Sequence, residues 1–126
     1  MKKYLFFDVD GTLYNHDKII PKSTLEAIEI AKNNGHEIAI AKGRATFMIK
    51  DILKELNIHT YVSLNGQYVV YNNEVIFTDS ISNQTLMEIV EFGSARDEPV
   101  VFIDETKMVA TKGEHERITV SLATLK

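Results

Sequence analysis

The sequence predicts an α/β fold: a three-layer parallel sheet forming half of a core, then a β-hairpin and the beginning of a second α/β element. Three observations carry this expectation. Apolar runs alternate with helical periodicity in the order strand, helix, strand, helix, strand. The first strand is apolar almost throughout, as in a sheet buried on both faces. All three strands end in polar or glycine-containing groups, and sheets of this kind bind ligands beyond the carboxyl ends of their strands.

Residues 3–9, KYLFFDV, form the first strand, with Asp8 and Asp10 at its carboxyl end. From Pro21, PKSTLEAIEIAKNNG carries Leu25, Ile28 and Ile30 to Ala31 at helical spacing, with Pro at the entrance and Gly35 just past the exit. HEIAIAKGR is the second strand and ends in Lys42, Gly43 and Arg44. ATFMIKDILKELN then places Met48, Ile52, Leu53 and Leu56 on one helical face. TYVSLNG is the third strand and ends in Asn65 and Gly66. Crossovers between such strands are right-handed, which predicts parallel pairing.

QYVVYNNEVIFTDS alternates apolar and polar residues around Asn72 and Asn73, which tolerate positive φ, so it reads as a hairpin. SNQTLMEIVEFGSARD is a helix capped by Ser82 or Asn83, with Leu86, Ile89, Val90 and Gly93 along it. PVVFIDETKMVATKG makes a second strand pair, with Asp104 and Glu105 at a strand end and hairpin turn. EHERITVSLATLK carries a mixed helix and strand signal. A boundary near residues 79–84 divides the chain into 1–80 and 81–126.

With 126 residues, the chain has room for one small domain, or one and a piece of another. No apolar run is long enough to span a bilayer, so no membrane partner is expected and the cytoplasm is the expected location. Cysteine is absent, which removes disulfides and thiolate chemistry; His16, His36, His59 and His115 are too scattered for a zinc site. The net charge of −4 and the lack of a basic face speak against nucleic acid. Any metal is expected to be bound by oxygen.

Asp8 and Asp10 are the residues on which such chemistry would centre. A turn over Val9–Gly11, permitted by Gly11, brings the two carboxylates together. Converged there, they can hold a hard divalent cation such as Mg²⁺, while Thr12 and nearby backbone N–H groups meet an anion. The plainer alternative makes them polar residues capping backbone groups at a strand exit.

DVDGTL at residues 8–13 resembles the DxDGT motif of haloacid dehalogenase superfamily phosphatases, and GHEIAIAKGR with VSLNG resembles the Cof-like sugar-phosphatase branch. The resemblance covers residues 1–80, the expected N-terminal part of a Rossmann-like core; residues 81–126 would be a partial α/β cap. It implies a phosphomonoester hydrolase acting on a small phosphorylated metabolite through an aspartyl-phosphate. Asp8 would be the nucleophile, Asp10 the acid and then the base, and both would hold Mg²⁺. Gly11, Thr12, Lys42, Gly43, Arg44 and Asn65 would bind the phosphate or substrate.

Two departures from the family pattern predict impaired turnover. Lys42 stands where the family has the Thr or Ser of TGR, and an ammonium on a long stem is not an isostere of a hydroxyl. Lys42 is either a phosphate ligand or a solvated strand-end residue. The family also places a phosphate-neutralising lysine and a later acidic pair after its cap, so the chain is expected to be truncated. The alternative function is a silent fragment or binding module, and the exposed sheet edge predicts self-association.

Overall fold

A computed structural model describes residues 1–113 together with Glu116 and Ile118. The chain divides into two compact units, Met1–Asp79 and a second from Ser80 onward. Apart from Glu116 and Ile118, the segment EHERITVSLATLK lies outside the described residues. Among the described residues, no helix is long and apolar enough to cross a membrane.

The first unit follows the predicted order: β1 (Tyr4–Phe7), α1 (Lys22–Asn33), β2 (Glu37–Ala41), α2 (Thr46–Glu55) and β3 (Thr60–Ser63). A 3₁₀ turn over Leu64–Gly66 leads to β4 (Tyr68–Tyr71) and β5 (Glu74–Thr78). The sheet order is β1-β2-β3-β4-β5, with the first two ladders parallel and the last two antiparallel. Asn72 and Asn73 both take positive φ, 49° and 67°, as the tight turn between β4 and β5 requires.

Both helices pack on one face of this sheet. Ile28 of α1 and Ile49, Ile52 and Leu53 of α2 join Ile38 and Ile40 of β2 in a single buried cluster, against which Leu5, Phe7 and Tyr61 pack. On the opposite face Tyr4 and Phe6 are 48% and 57% exposed. The cover expected on both faces is therefore supplied on one face by these two helices. Strands β1, β2 and β3 advance across the sheet in a single direction, and successive right-handed crossovers that advance the same way place their helices on the same side.

Helix α1 corrects one sequence expectation. Ile28 is buried, but Ile30 is 61% exposed. Two residues along a helix is a rotation of about 200°, so Ile30 falls on the far side from Ile28, whereas Leu25 and Ala31 flank it at i−3 and i+3. Lys32 lies on the inner side of the same helix and donates hydrogen bonds to the carbonyls of Leu56 and Asn57 just past α2. A lysine there satisfies acceptors that the helix end leaves open.

In the second unit, α3 (Asn83–Ser94) precedes a two-stranded sheet of β6 (Val101–Ile103) and β7 (Met108–Ala110). Ser82 is the cap, its Oγ accepting from the Thr85 N–H at 3.1 Å. Asp104 is the turn residue that the sequence suggests. Its Oδ1 accepts from the Thr106 hydroxyl and from the N–H groups of Thr106 and Lys107, each at 2.7 Å, and these bonds, led by the hydroxyl, hold its carboxyl below the usual range.

Candidate active site

Strand β1 ends at Phe7, which pairs in register with Ile40 of β2, so the residues that follow each strand emerge side by side. After β1 the chain turns around the Val9 carbonyl, which accepts from the N–H groups of Leu13 and Tyr14 at 3.0 and 2.9 Å. Gly11 takes φ +74° within this turn. Val9 and Leu13 are buried beneath it, while Asp8, Asp10, Gly11 and Thr12 are exposed above. The local sequence accounts for this arrangement: two apolar anchors, one glycine that accepts left-handed backbone, and polar residues at the other outward positions.

The two carboxylates converge on one cation. Lys42 Nζ lies 2.8 Å from Asp8 Oδ1 and 3.1 Å from Asp10 Oδ2, and Arg44 Nη2 lies 3.0 Å from the same Asp10 oxygen. Only 15% of the Lys42 side chain is exposed, so it is not a solvated strand-end lysine. Its hydrogen bond to Asp8 holds that carboxyl below the usual carboxylate range, against an opposing effect of burial. Burial pulls the Lys42 ammonium down, yet the bonds to Asp8 and Asp10 outweigh it and leave it raised. Both partners are thus held in their charged forms.

The ends of β2 and β3 are fastened to each other. Lys42 N–H donates to the Val62 carbonyl at 2.9 Å, and Leu64 N–H donates to the Arg44 carbonyl at 3.1 Å. Thr46, at the start of α2, shares a buried 3.0 Å hydrogen bond with Ser63, the last residue of β3. Leu64, Asn65 and Gly66 all take positive φ, 51°, 55° and 97°. Asn65 presses its side-chain amide onto the Cα of Gly43: a Cβ placed there would come within 2.5 Å of Asn65 Oδ1. Gly43 is therefore needed for this close approach, and Asn65 shapes the loop beside it.

The fold thus gathers Asp8, Asp10, Lys42 and Arg44 into one ion-pair network, with Gly43 and Asn65 in contact alongside. Gly11 and Thr12 lie on the adjoining turn. Sequence reasoning missed Thr46 and Ser63. Ser63 falls inside VSLNG but was given no role there, Thr46 follows the AKGR stretch, and their pairing depends on how α2 meets β3.

The surrounding chain is like that of known proteins. Residues 5–124 match the family of haloacid dehalogenase-like hydrolases. The Bacillus subtilis (strain 168) protein YkrA, to which its name provisionally assigns phosphatase activity, is 40% identical over 98% of this chain and 48% of its own length. A solved structure from Geobacillus kaustophilus HTA426 superimposes with a TM-score of 0.94 at 41% identity, over 99% of this chain and 49% of the other. A sugar phosphatase of the same superfamily's subclass IIB, BT4131, superimposes with a TM-score of 0.75 at 29% identity, over 98% of this chain and 49% of its own. The chain spans about half the length of these relatives. With a match that takes in both strand-end aspartates and nearly every residue after them, the chain belongs to the haloacid dehalogenase-like hydrolase family.

Proposed function

We propose that the chain carries the nucleophile-bearing half of a phosphomonoester hydrolase that acts in the cytoplasm on a small phosphorylated metabolite. The observation that carries this reading is the convergence of Asp8 and Asp10 at the carboxyl end of the parallel strands. Asp8 attacks phosphorus and forms an acyl phosphate as the ester bond breaks; protonated Asp10 gives its proton to the departing oxygen. Water, relieved of a proton by the Asp10 carboxylate, then cleaves the acyl phosphate and restores Asp8. Gly11 and Thr12 on the turn, with Lys42, Gly43, Arg44 and Asn65 on the adjoining loops, surround the phosphoryl group.

Phosphatases of this superfamily generally use Mg²⁺. Asp8 and Asp10 are the carboxylates that would meet it, but the arrangement does not fit a divalent ion. One oxygen of each, Asp8 Oδ1 and Asp10 Oδ2, is held by Lys42, and Arg44 shares the Asp10 oxygen, so the negative charge of the pair is already balanced by two cations. Among the described residues, no group of three or more His, Cys, Asp or Glu side chains is placed to hold a metal. The second reading, a silent binding module, draws support from the same ion pairs, because a nucleophile held by an ammonium is poorly placed to attack.

Tungstate, a phosphate mimic, tests the location of the site. Titrated into the ¹⁵N-labelled chain, it is expected to shift amide signals of residues 8–12, 42–44 and 65. Shifts confined to other residues would overturn the assignment.

We also propose that the chain self-associates through β1. Among the described residues this strand pairs with β2 on one side only, which leaves N–H and C=O groups along its other side as a template for a further strand. The occupant is a second copy: antiparallel β1–β1 pairing about a two-fold axis closes on itself and covers both edges at once. Light scattering is expected to give the mass of a dimer at high concentration and a monomer on dilution. A monomer throughout that range would refute it.

A further inference from the structure

Lys42 occupies an unusual position. Its ammonium bridges the two acids on which the family's chemistry turns, at 2.8 and 3.1 Å, and only 15% of its side chain is exposed. Arg44 adds a second cation to Asp10. Two carboxylates thus face two cations, and the cluster is neutral without any added ion. The main chain fixes the lysine where it stands, since its N–H is bonded to the Val62 carbonyl of the next strand. The β1–β2 register sets Phe7 opposite Ile40, so the residues just past both strands emerge together and the Lys42 side chain reaches Asp8.

We propose that Lys42 is the resident counter-cation of the Asp8–Asp10 pair, and that a divalent ion enters only by displacing its ammonium. A Mg²⁺ held by Asp8 and Asp10 and an ammonium bridging them compete for the negative charge of the same two carboxylates and repel each other. Hard-cation affinity rises with the net negative charge that the ligands present, and here that charge is cancelled from within. Lys42 therefore sets the metal requirement of the site. The inference rests on the reading of Asp8 and Asp10 as the cation-facing pair, and not on turnover.

Mg²⁺ alone, titrated calorimetrically into the full 126-residue chain, is the test. The parent chain is expected to bind only in the millimolar range. Lys42→Met keeps the length of the stem and removes the charge; it should tighten Mg²⁺ binding by about tenfold or more. Lys42→Arg should remain as weak as the parent, and Asp8→Asn placed on Lys42→Met should abolish the gain. Circular dichroism establishes that each variant is folded, and Lys42→Thr replaces the methionine variant if that one is not. Unchanged or weaker binding after removal of the charge would overturn the proposal. So would micromolar binding by the parent chain, a result that needs no variant. Tungstate shifts at residues 8–12 report on the phosphate reading separately, so failure of one reading is distinguishable from failure of the other.

Discussion

Hydrolysis of a generic aryl phosphate by the purified chain is expected to stay close to the uncatalysed background, with or without Mg²⁺. Phosphoryl transfer depends on positioning and on fixed positive charge around the transferring group. At this site Lys42 and Arg44, the cations beside the proposed nucleophile Asp8, are already held by Asp8 and Asp10. Loss of one preorganised donor costs about 10²–10³ in rate, and the loss of several compounds. Lys42→Thr supplies a hydroxyl but removes a positive charge, so this substitution by itself is not expected to rescue turnover. The measurement is steady-state release of the aryl alcohol by the parent chain and by Asp8→Ala. Robust Mg²⁺-dependent turnover that disappears in Asp8→Ala would refute the expectation and show that this half stabilises the phosphoryl group unaided.

The largest expected effect on stability comes from a single helix. Ile28→Ala should destabilise the first unit by about 2–5 kcal/mol, the usual cost of removing a buried aliphatic side chain and leaving a cavity. Ile30→Ala, two residues away, should change stability by no more than about 0.5 kcal/mol, because the side chain is 61% exposed and alanine is itself a good helix former. Small domains are stable by only about 5–15 kcal/mol, so the first variant risks unfolding outright and the second does not. Urea denaturation of both variants decides the matter. Equal losses would mean that α1 does not present the Ile28 face to the sheet.

The residues differ in how far their roles were legible in the sequence. The alternation of strands and helices, the Asn72–Asn73 turn, the Ser82 cap and the Asp104 turn all depend on neighbours a few positions apart. Periodicity and turn chemistry record such relations directly. The meeting of Asp8 with Asp10 was legible for the same reason, since only Val9 separates them and Gly11 permits the turn. The exposure of Ile30 was also present in the pattern, two residues out of phase with Ile28. Helical spacing taken loosely placed it on the inner face.

What the sequence by itself determined is the succession of elements and, at the ends of the strands, the candidate site with its pair of acids. Only the tertiary structure decided which cation those acids hold. Lys42 lies 34 residues beyond Asp8, and the two meet because β1 and β2 pair in parallel with Phe7 opposite Ile40. The contacts of Thr46 with Ser63 and of Gly43 with Asn65, and the side of the sheet that both helices cover, were decided there too. The physical reason is common to all of them. Local pattern specifies what each segment forms, whereas partners distant in the chain are chosen by strand register and crossover hand, which become definite only when the sheet is assembled.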